Sequence, residues 1–134
     1  MQFIDTVTLF AGFFSDEKHH LKAKKIVEAI AEGNVGNVVY SDYILDELLT
    51  LARTKKNAAA SNKILEEITN SEIELIKVEQ KHLALAFELF KSYEKLSFTD
   101  CTSVALMLDK GIKEIYSFDK GFDSVPKIVR LEEL

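Results

Sequence analysis

Short apolar runs alternate along the chain with longer stretches whose apolar residues recur at helical spacing, which predicts strands alternating with helices. A first strand is expected at Gln2–Ile4, with Asp5 at its C-terminal end and the apolar run resuming from Val7 to Phe10. Gly12 lies in the turn or helix that follows. Ser15 is placed to cap a helix, with Asp16 and Glu17 in the first turn where the dipole favours acids. Ala23, Ile26, Val27, Ile30 and Ala31 make one apolar stripe, and Gly33 stops it. His19 and His20 fall in this stretch. Adjacent helical residues point about 100° apart, so the two make a poor chelating pair and are read as surface or packing residues.

A second strand is expected at Asn37–Tyr40, then a helix over Tyr43–Ala52 capped by Ser41. Its stripe is Ile44, Leu48 and Leu51. Glu47 lies within about 60° of Ile44 and about 40° of Leu51, near the buried face, where a lone carboxylate is costly. Asp46 points away. Arg53, Lys55 and Lys56 end the helix, a favourable place in the dipole and a candidate phosphate-contacting patch. A helix over Ala58–Ile68 turns Ile64, Leu65 and Ile68 inward, and Glu72–Val78 reads as a strand. Lys81–Tyr93 is helical, with Leu83, Ala86, Phe87 and Phe90 on one face, Leu85 and Leu89 beside it, and His82 on the surface. After a loop at Leu96–Thr99, Cys101–Lys110 is a helix with Val104, Ala105, Met107 and Leu108 inward, stopped by Gly111. Strands close the chain at Ile112–Phe118 and Lys127–Leu131.

Strands separated by helices indicate a parallel sheet, and right-handed crossovers place helices on both faces. With no internal repeat and no linker, residues 1–134 are expected to form a single domain. The apolar runs are too short to cross a bilayer, and Met1–Leu9 lacks the basic start and cleavage site of a signal peptide. A lone Cys101 forbids an internal disulfide, excludes a cysteine-rich zinc site and suits a reducing cytoplasm. The net charge of −5 argues against a passive nucleic-acid clamp, which is usually basic.

Acidic residues at element edges carry the chemistry. Sites in such sheets form outside the C-terminal ends of the strands. Asp5 and Asp119 end strands, Asp100 opens a helix, and Glu47 lies in the second turn of the helix after the second strand. Each has a bland role open to it: Asp100 as a helix-capping residue, Asp119 in the turn Asp119-Lys120-Gly121. Asp5 and Glu47 are harder to explain that way. Two carboxylates about 5 Å apart repel by roughly 3 kcal/mol at an effective dielectric of 20. A convergent set therefore needs protons or a cation. All-oxygen ligands suit Mg²⁺ or Mn²⁺, which can activate water and neutralise a phosphoryl oxygen.

FIDT at Asp5, DELLTL at Glu47, LSFTDCTSVALM at Asp100 and YSFDKGFD at Asp119 together resemble the PIN-domain nucleases, in particular the VapC-type toxin ribonucleases of prokaryotic toxin–antitoxin pairs. The resemblance covers nearly the whole chain. It implies an α/β three-layer PIN-like fold with a mainly parallel five-stranded sheet flanked by helices. It also implies an acidic quartet of Asp5, Glu47, Asp100 and Asp119, with Asp123 a further metal ligand and Thr6 orienting a ligand or water beside Asp5. The implied reaction is Mg²⁺- or Mn²⁺-dependent hydrolysis of RNA by a metal-activated water. The implied partners are RNA, a small antitoxin that fills the cleft and a second copy of the chain. One departure stands out: many relatives carry Ser or Asn two residues after the first aspartate, where this chain has Val7, so the metal site loses a polar neighbour.

Two other readings compete. A non-catalytic nucleic-acid-binding or scaffold protein of the same fold would show lost carboxylates, and the quartet is intact. A receiver or dehalogenase-type phosphatase would want further acids after the first strand; Asp5-Thr6-Val7 offers one.

Overall fold

The computed structural model describes Met1–Leu134. Strand β1 is Gln2–Ile4, followed by helices α1 (Thr6–Phe13) and α2 (His20–Ala31). Strand β2 (Val38–Ser41) leads into α3 (Asp42–Lys55) and α4 (Ala58–Thr69). Then come β3 (Glu74–Ile76), α5 (Gln80–Ser92), α6 (Phe98–Lys110), β4 (Glu114–Tyr116), a 3₁₀ turn at Lys120–Ser124 and β5 (Val129–Leu131). The sheet runs in the order β3-β2-β1-β4-β5 and every pairing is parallel. All five strands therefore end on one rim.

The strand order puts β1 at the centre, and both of its core residues, Phe3 and Ile4, are fully buried. Helix α1 packs on both α2 and α3, α3 packs on α4, α5 packs on α6, and α6 touches α3. Helix α6 is buried from Cys101 to Met107 without interruption. That explains why no polar stripe interrupts its sequence: a helix covered all round needs none. Gly111 ends it in the left-handed conformation, at φ 69°, where a glycine has no Cβ to strain.

Several expectations need correction. The run Val7–Phe10, given no element from the sequence, belongs to helix α1, which the Asp5 side chain caps by accepting the Thr8 N–H. Helix α2 begins at His20 with no side-chain cap, so Ser15, Asp16 and Glu17 lie in the preceding connection. Asp16 and Glu17 instead receive Lys56 and Lys55. Helix α6 starts at Phe98, capped by Ser97, three residues earlier than expected. The three last strands are shorter than their apolar runs.

His82 was expected on the surface and is only 2% exposed. Its Nδ1 accepts the Glu79 N–H at 2.9 Å, which leaves the ring proton on Nε2, 2.8 Å from Asp109 at the far end of α6. That bond, followed by Lys81, holds Asp109 below the usual carboxylate range. Phe87 and Phe90, expected inside, are 53% and 51% exposed, and both lean on Phe98 at 5.9 Å between ring centres. Helix α5 packs instead through His82 and Ala86. Leu65 and Leu108 also stand outside the core, and on α2 Ala29 takes the inward place expected of Ala31.

Candidate active site

Three carboxylates occupy the C-terminal rim because each opens a helical segment there. Asp5 follows β1 directly; its N–H donates to the Tyr116 carbonyl of β4, and its Oδ1 caps α1 through Thr8 at 2.9 Å. Asp100, in the first turn of α6, accepts the Ser97 N–H at 3.0 Å while the Ser97 hydroxyl accepts its own N–H at 3.1 Å. This reciprocal box spends both groups on the helix end. Asp119 leaves β4 and caps the 3₁₀ turn by accepting the Gly121 N–H at 2.8 Å. Each carboxylate thus uses one oxygen to hold its own segment. For Asp100 and Asp119 the other oxygen is left for something else.

Residue 121 has to be glycine for this packing. A Cβ there would stand 2.9 Å from the Lys95 carbonyl oxygen and 3.0 Å from Asp119 Oδ1. Any side chain would push the turn away from the α5–α6 connection and take the Asp119 carboxylate with it.

Ser117 ties the cluster together. Its hydroxyl donates a short hydrogen bond to Asp5 Oδ2 and accepts the Asp119 N–H at 3.0 Å. Thr8 anchors the same seam by donating to the Tyr116 carbonyl at 3.1 Å. Neither residue was singled out from the sequence. Ser117 carries a signal there: a small hydroxyl within an otherwise apolar run, Ile115-Tyr116-Ser117-Phe118.

The electrostatics are those of crowded acids. Burial raises the Asp5 pKa; the bonds from Ser117 and Thr8 oppose this and the charge of Asp119 adds to it. Asp100 is pushed up to about 7, first by burial and then by Asp119 and Asp5, against the bonds from Ser97. Neither carboxylate forms an ion pair with a basic side chain. Thr6, next to Asp5, is buried, and its hydroxyl oxygen has no hydrogen-bond partner.

Glu47 sits at the periphery. It is half-buried on α3 and opens on a groove of about 320 Å³ that it shares with Asp46, Thr50, Leu51, Thr54 and Thr99, the residue before Asp100. Asp123 is engaged elsewhere: Arg130 grips both of its oxygens, at 3.0 and 3.1 Å, and holds it below the usual carboxylate range. Val7 is 46% exposed on α1. The candidate phosphate patch is also engaged. Arg53 donates to Ser61 and Asn62, while Lys55 and Lys56 pair with Glu17 and Asp16 and lie over the rings of Phe10 and Phe14.

The donor set is chemically right for a hard divalent cation, with oxygen ligands only and a surplus of negative charge. The unpartnered Thr6 hydroxyl offers a further oxygen beside Asp5. The side chains are not drawn into a finished shell, since no three Asp, Glu, His or Cys groups stand close enough together to form one.

This fold and rim define a class. The chain belongs to the PIN domain family, whose model matches residues 3–128. It is 37% identical over 132 residues to a VapC ribonuclease from Archaeoglobus fulgidus, covering 95% of this chain and 81% of that protein. Among solved structures it is similar to VapC20 of Mycobacterium tuberculosis, described as a sarcin–ricin-loop-cleaving toxin. The TM-score is 0.83 at 23% identity, over 96% of this chain and 97% of that one. A toxin–antitoxin complex from Klebsiella pneumoniae contains a chain that matches with a TM-score of 0.72 at 16% identity, over all of both chains.

Proposed function

We propose that this chain, acting as one PIN-like domain, is a divalent-metal-dependent endoribonuclease and the toxin of a toxin–antitoxin pair. One observation carries the proposal: at the sheet rim a buried Asp5 and a half-buried Asp100 are both raised by burial and by the charge of Asp119, and neither forms an ion pair. The choice of RNA follows the relatives' names, and the antitoxin follows the complexes in which neighbours of the same fold occur. Homodimerisation and a cytoplasmic setting follow the same kinship. No helix is long and apolar enough to cross a membrane.

Asp5, Asp100 and Asp119 would hold Mg²⁺ or Mn²⁺, with Thr6 beside Asp5 and Glu47 reaching in from α3. Asp123 would have to leave Arg130 to join them, so it is the least suited of the acids. The ion supplies a nucleophilic water at neutral pH and neutralises charge on the phosphoryl oxygens. The chain's own residues do the rest. Ser117 and Thr8 fix the Asp5 carboxylate, so its direction does not depend on solvent. Asp100 keeps a share of its proton near neutral pH and yields it as the charge of the site changes. Hydrolysis breaks one P–O ester bond; the water oxygen joins phosphorus and a water proton reaches the leaving oxygen.

The unfinished ligand shell favours a second reading, a non-catalytic RNA-binding member of the fold. The uncompensated acids and the orphaned Thr6 hydroxyl weigh against it, because a binding surface gains nothing from repelling phosphate. The test is Mn²⁺- or Mg²⁺-dependent cleavage of structured RNA by Asp5→Asn and Asp100→Asn. Both variants are expected to stay folded and lose activity; full activity in both overturns the proposal.

A further inference from the structure

His19 lies flat on Phe118, ring centres 4.2 Å apart and planes 6° from parallel. Every other aromatic pair in the molecule is more tilted and more distant, from 4.7 to 6.4 Å and from 27° to 73°. The place of this pair matters as much as its shape. Phe118 stands in the chain between Ser117, which holds Asp5, and Asp119. The stack is therefore attached to the strand end that builds the acidic cluster. Neither ring is sealed in the core. The next residue, His20, is tied by Nδ1 to the Ala11 carbonyl at 2.7 Å, which fixes the backbone that presents His19.

The charges around the stack differ from those at the end of α3. Lys18 precedes His19 and Lys120 follows Asp119, and both are exposed. Lys55 and Lys56 sit in ion pairs, whereas Lys18 and Lys120 stand in none. A flat, partly exposed π surface with exposed, unpaired lysines next to it in the chain matches a nucleotide: the base stacks and the flanking phosphates meet the lysines.

We propose that His19, backed by Phe118, is a stacking platform for an unpaired RNA base beside the catalytic carboxylates, with Lys18 and Lys120 taking the neighbouring phosphates. This deepens the ribonuclease reading and rests on it. It narrows the substrate to RNA that can present an unstacked base, in a loop, bulge or single strand. A continuous A-form duplex cannot reach the platform, since its bases stay inside the stack.

The test is binding of a single-stranded RNA of about 12 nucleotides, a length within the usual site sizes, with Ca²⁺ as the only divalent ion. His19→Ala should weaken binding about tenfold, and His19→Phe, which keeps a stacking face, should restore it to within about twofold. Moving a single abasic site along the RNA should find one position that weakens wild-type binding about tenfold and costs His19→Ala nothing further. Unchanged affinity in His19→Ala, full additivity at every abasic position, or no RNA binding by the wild-type chain each overturns the platform. Mn²⁺-dependent cleavage of the same RNA is scored separately. Base-dependent binding without cleavage removes the enzyme reading alone; cleavage with an unchanged KM in His19→Ala removes the platform alone.

Discussion

The rim of the sheet carries two groups of acids, and they are handled in opposite ways. Asp123 and Glu132 share Arg130, which donates to both, and both are held below their usual pKa. Asp5 and Asp100 have no such partner, and both are raised. The first group is paired: one guanidinium holds both carboxylates in place. The second would be cheaper to replace with neutral residues, yet both of its acids are built into helix starts and Asp5 is braced by Ser117. Retaining acids that burial disfavours, beside others held by an arginine, is what the proposed cation site would require.

The contrast predicts mutational effects of opposite sign. Asp100→Asn should cost activity on the order of 10³-fold, the scale of a group acting on the transition state. The same change should raise the stability of the metal-free protein at pH 7, since it removes a charge the fold disfavours. At the other group, Arg130→Met should leave Asp123 and Glu132 without their shared partner and lower stability, with the carboxylate cluster intact. Steady-state cleavage and urea unfolding of the two variants read both signs. A stability loss in Asp100→Asn equal to that in Arg130→Met would erase the distinction between the groups.

The pH dependence follows from the same shifts. The folded pKa of Asp100 lies at about 7, above its value of 3.8 in an unfolded chain, so the native state binds the extra proton between those limits. Stability of the metal-free protein should therefore fall as pH rises from about 4 to 7, by on the order of 2 kcal/mol. Asp5 adds to the fall in the same direction. The paired acids work the other way: Asp123 and Glu132, with lowered pKa values, lose their contribution only as pH drops below the ordinary carboxylate range. Asp100→Asn should flatten the fall; denaturant titrations across this range check it.

Much of this was legible in the sequence, and what was missed has physical causes. Asp5, Asp100 and Asp119 could be placed because each interrupts or ends an apolar run, and a parallel sheet sends all strand ends to one rim. Ser117 and Thr8 could not, because their value depends on β1 lying next to β4, a pairing across more than a hundred residues. Helical spacing suggested that Phe87 and Phe90 were core. It could not show that α6 meets α5 through Ala86 and a buried His82, leaving those rings outside. That Arg53, Lys55 and Lys56, a candidate phosphate patch, are already engaged within the chain was hidden for a similar reason. Their partners come from α4 and from the connection before α2, which helix periodicity does not see.

Smaller effects refine the picture. Gly121→Ala should reduce activity about tenfold without unfolding the protein, through displacement of the Asp119 carboxylate by the crowded turn. Arg53→Ala, Lys55→Ala and Lys56→Ala should each change RNA affinity less than about twofold, because these side chains already serve the fold. A large loss of affinity in any of the three would move the RNA path to the far end of α3.

Thermal unfolding of the wild-type chain and of Asp5→Asn during a Mn²⁺ titration tests the central claim most directly. The wild-type protein should gain stability saturably, by about 2.7 kcal/mol when the ion reaches a hundred times its dissociation constant. The variant should start more stable without metal and gain little. Equal curves for the two proteins, or no response in the wild type at millimolar Mn²⁺, would contradict a cation site at these carboxylates.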